Sequence, residues 1–334
     1  MSLVTFAGVQ PLDRLLVVDL TRYLPGAFAS RELLRLGARV VRLEPPEGDP
    51  MRNVASAWDE ALSGGKESVA CDLKTDLKLA RALLGRADIV LEGFRPGVAA
   101  RLGVGPDDVP ESVVYCSITG FGADGPHAAR AGHDLNYLGW AGVLEDTAPS
   151  LPPLQPADLA AGALGAVVEV LAAVLERERT GRGARLTISM THGSHRLVSH
   201  RLDAQGASGD PLHRFLTGGL ACYRIYETAD GRWLTVGALE PKFFHRLCQV
   251  IGRPELADRQ LEPDGQEELA GELAATFAAR SLESWLQLFE SEDVCVGPVA
   301  TLAEGAESFG METGLPSARV GQHTAAWRAE LGVP

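Results

Sequence analysis

Apolar residues along this chain fall into short, nearly continuous runs separated by stretches of helical spacing. Leu15-Leu16-Val17-Val18-Asp19-Leu20 is one such run, residues 26–36 have helical spacing, and Ala38-Arg39-Val40-Val41-Arg42-Leu43-Glu44 is apolar again after Gly37. A short run, a 3.6-residue period and a second short run predict a strand–helix–strand unit. The pattern recurs with a strand at 68–73, a helix near 77–84, a strand at Ile89-Val90-Leu91, a helix near 98–102 and a strand at 113–118. Alternation of this kind predicts an α/β fold whose parallel sheet is covered on both faces. Ligands bind such sheets beyond the carboxyl ends of the strands. The segments leaving those ends are 22–26, Leu73-Lys74, 92–97 and 119–126, with Lys74, Arg95 and Arg101 in or near them. These cations suit phosphate groups through charge-assisted hydrogen bonds, or they are ordinary solvated surface charges.

Further along, residues 159–178 predict a long helix stopped by Thr180-Gly181-Arg182-Gly183, with Asp158 at its start. Aspartate there reads first as an N-cap. The mostly small side chains of Leu159-Ala160-Ala161-Gly162-Ala163 would also let a ligand oxygen approach the amides at the positive end of the helix. Residues 185–190 predict another strand, followed by His192, His195 and His200. Their spacing does not place all three on one helical face and no Cys or Glu completes a metal site, so a polar connecting helix is expected and no metal. A second region begins near Gly206. It holds a predicted β-hairpin, 221–226 and 233–236 around Ala229-Asp230-Gly231, then Glu240-Pro241 and a helix over 242–251, then helices near 267–279 and 282–290. The expected organisation is a large domain over 1–204, a small α+β domain over 205–304, and a segment 305–334, periodic at 324–331, that returns to the large domain.

The charge balance removes some functions. With 44 acidic against 31 basic residues and a net charge of −13, neither nucleic acid nor an anionic membrane is an expected partner. An anionic ligand needs a local basic cleft. The five cysteines include no CxxC pair, which suggests free thiols in a reducing compartment. No leader is evident and no apolar run approaches the ~18 residues that suggest a membrane span, so a cytoplasmic protein is expected. Nucleotide fingerprints are missing: Glu60 stands where a P-loop needs its first glycine, Glu67 follows Gly65-Lys66, and no GxGxxG follows the first strand.

Chemistry concentrates at Ala131-Gly132-His133-Asp134-Leu135-Asn136-Tyr137 and at Asp158. An imidazole and a carboxylate on opposite sides of a carbon can remove a proton from one face and return it to the other. Together with Asp19-Leu20-Thr21-Arg22, Pro25-Gly26, Asp72-Leu73-Lys74, Glu92-Gly93-Phe94-Arg95-Pro96-Gly97, Thr119-Gly120-Phe121-Gly122 and Gly237-Ala238-Leu239-Glu240-Pro241, these residues make the chain resemble the family III CoA-transferase superfamily (CaiB/BaiF type). Within it the α-methylacyl-CoA racemases are most similar. The segments 52–66 and 305–317 are shorter than the family pattern.

The resemblance implies an interlocked homodimer whose subunits each have a Rossmann-like large domain and a smaller domain. It implies an acyl-CoA thioester as substrate, with coenzyme A carried by the substrate and no prosthetic group. Residues matching the family's CoA contacts are Leu24, Pro25, Leu73, Lys74, Phe94, Arg95, Arg101 and Tyr137. Asp158 and His133 match an opposed acid/base pair and Glu240 a glutamate beside that histidine. Glu240 by itself is equally a solvated helix-start residue. The leading expectation is 2-epimerisation of a 2-methyl-branched acyl-CoA through an enolate. The alternative is CoA transfer between carboxylic acids with Asp158 as nucleophile, and a non-catalytic acyl-CoA binder is a third class.

Overall fold

The computed structural model describes residues 10–202, 215–262, 264–310 and 315–334, so the expected boundary at 204/205 lies outside the described residues. These residues form two compact units, one containing 10–200 with 315–334 and the other 201–310. In the larger unit the elements run β1 (Leu16–Asp19), α1 (Tyr23–Arg35), β2 (Arg39–Glu44), α2 (Met51–Val54), α3 (Ser56–Ser63), β3 (Glu67–Ala70), α4 (Leu77–Leu84), β4 (Ile89–Glu92), α5 (Val98–Arg101), β5 (Val114–Thr119), α6 (Asp134–Trp140), α7 (Gly165–Thr180), β6 (Arg185–Ser189) and α8 (Met190–Val198). The six strands form one parallel sheet in the order β3-β2-β1-β4-β5-β6. Strand order reverses between β1 and β4, where an open α/β sheet leaves a crevice at its carboxyl edge.

Successive strand residues point to opposite faces, so the sheet feeds two cores. Val17, Val40, Ile89, Val114 and Cys116 pack with α1 and α7 on one face. Val18, Val41, Val69, Val90 and Tyr115 pack with α4 and Trp327 on the other. Both faces are covered, hence the near-continuous apolar strands. The expectation that no apolar run reaches membrane length needs correction. Residues 157–180 form one continuous helical stretch long and apolar enough to cross a membrane by length and composition. Its Ala166, Val167, Val170, Ala173 and Val174 are buried in the first core.

The smaller unit contains β7 (Tyr223–Glu227), β8 (Trp233–Gly237), α9 (Pro241–Val250), α10 (Gln266–Phe277), α11 (Leu282–Phe289), β9 (Val296–Pro298) and α12 (Leu302–Phe309). β7, β8 and β9 form an antiparallel sheet over a core of Phe244, Leu247, Leu273, Phe277 and Trp285. The hairpin turn has Gly231 at φ 69°, a conformation glycine adopts without strain. Asp230 Oδ1 accepts from Thr228 Oγ1 and from the Leu282 amide.

A last helix, α13 (Thr324–Leu331), packs on the edge of the large sheet. Trp327 donates its indole N–H to Glu67 at 2.7 Å, Thr324 Oγ1 accepts from the Ala70 amide, and His323 Nδ1 accepts from the Ser68 amide.

Candidate active site

Two cavities open at the carboxyl edge of the large sheet, at the reversal between β1 and β4. The first, of about 510 Å³, is lined by Thr21, Arg22, Tyr23, Pro25, Phe94, Arg95, Phe121, Arg130, His133, Asn136, Tyr137, Asp158 and Met190 among others. The second, of about 350 Å³, is lined by Leu43, Glu44, Asp49, Asp72, Leu73, Lys74 and Leu102 among others. Thr21, Arg22 and Phe94 border both, so the two form neighbouring compartments along one crevice.

The shared wall is held from below. Asp19, at the end of β1, accepts from the Thr21 amide and hydroxyl at 2.9 and 2.5 Å and from the Ser30 hydroxyl. Lys66 donates to Ser30 Oγ and to the Ala27 carbonyl. Burial pulls Lys66 down to about 8, with Asp19 opposing. The sequence offered Lys66 only as a failed P-loop lysine. Its fold role is to tie α1 and the loop after β1 to the sheet. At the first residue of α1, Tyr23 adopts φ 66°, a conformation that costs a non-glycine residue of order 1 kcal/mol or more.

Of the residues expected to meet CoA, Pro25, Phe94, Arg95 and Tyr137 line the first cavity and Leu73 and Lys74 the second. Leu24 and Arg101 line neither. Leu24 is half-buried and Arg101 exposed on the last turn of α5. Glu240 lies in the smaller unit, exposed, immediately before α9, and its side chain caps nothing.

His133 and Asp158 line the same cavity. His133 precedes α6, where Asn136 Oδ1 accepts from its amide. Tyr137 turns its hydroxyl onto the Gly132 carbonyl at 2.5 Å, fixing the loop that presents the imidazole. Asp158 is not the N-cap that its place before an apolar stretch suggested. It is the second residue of a wide π-helical segment, Ala157–Leu164, that continues into α7, and no side chain caps that segment. The carboxylate is therefore free for other use. The small residues after it serve packing: a Cβ on Gly162 would come within 2.9 Å of Met190, and one on Gly193 within 2.8 Å of Ala161, so α8 sits directly against the wide turns.

A residue that sequence reasoning passed over ties the two together. Asp134, the first residue of α6, accepts the Asp158 amide at 3.0 Å. Burial raises Asp134, and the amides of Asp158 and Ala157 oppose the rise. Burial, with the Asp134 charge adding, pushes Asp158 up to about 7. That is the range in which a carboxyl can both take and give a proton at neutral pH. Because Asp134 occupies the Asp158 amide, the expected oxygen-binding site at that helix start is already filled. The first two amides of α6, at Asp134 and Leu135, are the ones that lack an intrahelical acceptor.

Of the histidines after β6, His192 Nδ1 pairs with Ser189 Oγ and His195 Nδ1 with the Ala141 carbonyl. No cluster of three possible ligands occurs among the described residues.

Residues 12–313 match the model of CoA-transferase family III. The chain is 34% identical over 308 residues to a human protein named alpha-methylacyl-CoA racemase, covering 88% of this chain and 78% of that one. It is 30% identical over 323 residues to a mouse succinyl-CoA:glutarate CoA-transferase, covering 89% and 74%. Among solved structures, a CaiB/BaiF family protein from Brucella suis superposes with a TM-score of 0.81 at 26% identity, over 96% of this chain and 99% of that one. The chain is thus an enzyme of the racemase and CoA-transferase kind, a member of CoA-transferase family III.

Proposed function

We propose that the enzyme epimerises a 2-methyl-branched acyl-CoA at C2. The observation that carries this is the pairing of His133 with a carboxyl raised to about 7, Asp158, on the wall of one cavity. One of the two removes the α-proton and the other returns a proton to the opposite face. The Asp134 and Leu135 amides are the donors for the enolate oxygen. Asp134 orients Asp158 through its amide, and burial with the Asp134 charge raises the proton affinity of Asp158. The nucleotide end of CoA occupies the compartment with Leu73 and Lys74, and the pantetheine arm runs past Thr21 and Phe94. CoA enters and leaves as part of the substrate, and the working form is an interlocked homodimer.

The second reading, CoA transfer between carboxylic acids through an Asp158 anhydride, is favoured by the transferases among the relatives. In that chemistry no proton at carbon moves. Incubation in deuterated water with a panel of 2-methylacyl-CoA esters and no acceptor acid should give α-deuterated, C2-epimerised ester. Asp158→Asn and His133→Ala should each reduce epimerisation by about 10²- to 10⁴-fold. Absence of exchange, with acceptor-dependent formation of a new thioester that survives His133→Ala, overturns the epimerase in favour of the transferase.

A further inference from the structure

Two buried carboxylates stand at neighbouring strand ends where the large sheet reverses, Asp19 closing β1 and Glu92 closing β4. Asp19 lies in register with Leu91, one residue before Glu92. Each carboxylate accepts the amide of the residue two further on, Asp19 that of Thr21 at 2.9 Å and Glu92 that of Phe94 at 2.6 Å. Thr21 and Phe94 are two of the three residues that border both compartments. The two loops meet, since a Cβ on Gly93 would stand 3.9 Å from the Thr21 Cβ. Thr21 and Phe94 are thus two sides of one throat between the compartments, each held by a carboxylate at the strand end before it.

The two anchors differ in charge balance. Asp19 has the Lys66 ammonium 3.8 Å away. Glu92 is 5% exposed, and no cation offsets it among the described residues. Burial pushes its carboxyl up, opposed by the Ser117 hydroxyl on β5 and by the Phe94 amide. A buried acid without a counter-ion costs stability, and an apolar side chain would suit β4, every residue of which is buried. What the carboxylate adds is a short, charge-assisted hydrogen bond to one loop amide. Glu92 itself lines neither cavity, whereas Phe94 and Arg95 line the one that holds His133 and Asp158.

We propose that Glu92 is a positioning residue for the reaction: by holding the Phe94 amide it fixes one side of the throat, and so sets how far a CoA thioester reaches towards His133 and Asp158. The inference rests on the reading above that a CoA thioester spans both compartments. It adds to that reading a residue that acts on the substrate through Phe94 alone. A wall displaced by ~1 Å costs a well-placed reaction about a hundredfold. The nucleotide end, bound in the other compartment, keeps most of its affinity.

The test uses three variants: Glu92→Met, which removes the acceptor; Glu92→Gln, which keeps an acceptor oxygen of the same reach without the charge; and Ser117→Ala, which leaves the Phe94 bond in place. Calorimetric titration with free CoA gives the affinity and the number of binding-competent sites. Turnover per such site is measured at saturation with the 2-methylacyl-CoA ester that the parent handles fastest. It is read as α-deuteration or, if the parent transfers CoA instead, as new thioester. Glu92→Met should lose about ten- to a hundredfold in turnover per site while its CoA affinity stays close to the parent's. Glu92→Gln should recover most of that loss, and Ser117→Ala should turn over as the parent does. Deuterium uptake should rise at the Phe94 loop of Glu92→Met and not in β4 or β5. An acid that serves the fold alone would lower the number of sites and leave turnover per site unchanged. That result overturns the positioning role, as does a Glu92→Gln no better than Glu92→Met or an uptake that rises throughout the sheet. A parent that binds free CoA but turns over no ester by either route overturns the role together with the proposed chemistry, and one that binds no CoA overturns the reading of both compartments.

Discussion

Asp158 places an ionisable group where its charged form is poorly solvated, and only the folded chain bears that cost. The ordinary value of the carboxyl is 3.8 and the folded value about 7. Below about pH 4 the group is protonated in both states and costs nothing. As pH rises through 7 the folded state has to ionise it beside Asp134, so stability attached to this group is present at low pH and lost at high pH. Asp158→Asn, neutral at every pH, should therefore be more stable than the parent at pH 8, by up to about 4 kcal/mol from a shift of this size. At pH 4 the two should agree. Urea unfolding at both pH values measures this, and equal stability at pH 8 would mean that the carboxyl is not perturbed. An N-cap would behave differently, since asparagine caps about as well as aspartate. At this scale His133 and Asp158 were legible only through the motifs around them, since aspartate at that place read first as an N-cap. The parts of Asp134 and Glu92 were not legible, because an acid at a helix start and an acid before a turn have ordinary explanations. Only the third dimension shows which amide each accepts.

Among the elements, strands and long helices were readable because sheet burial on both faces and a 3.6-residue period leave strong marks, and α4 and α13 fall where the period put them. β9 escaped because Val296-Gly297-Pro298 is three residues with two strand-breakers. The wide turns at 157–164 escaped because hydrophobic period does not encode an extra residue per turn; what selects them is the close approach of α8 over Gly162 and Gly193. The period at 324–331 placed α13 but gave little sign of how much the helix contributes. Trp327 is 1% exposed, donates to Glu67, and carries the Arg39 guanidinium 4.2 Å above its ring. Trp327→Ala should cost about 3–5 kcal/mol and be seen as a lower denaturant midpoint at unchanged slope. A loss below 1 kcal/mol would show that α13 is only laid against the sheet.

For the whole molecule, the proposed interlocked dimer makes a demand that ordinary association does not. Threaded chains cannot part while folded, so dilution from micromolar to nanomolar should leave the sedimentation of the dimer unchanged until conditions that unfold it. A folded monomer at any dilution would sink that arrangement.

The order in which the chain is made adds a separate consequence of α13. β3 is the outermost strand of the large sheet, and the groups that answer its Ser68 and Ala70 amides are on His323 and Thr324. More than 250 residues of chain separate donor from acceptor in each case. During synthesis the strand must therefore wait, with its edge amides open, while the whole of the smaller unit is translated. At roughly 5–20 residues per second, that is an interval of some tens of seconds. A chain cut short after residue 310 would keep its smaller unit and leave the β3 edge of the larger unit bare, a template for pairing with other chains.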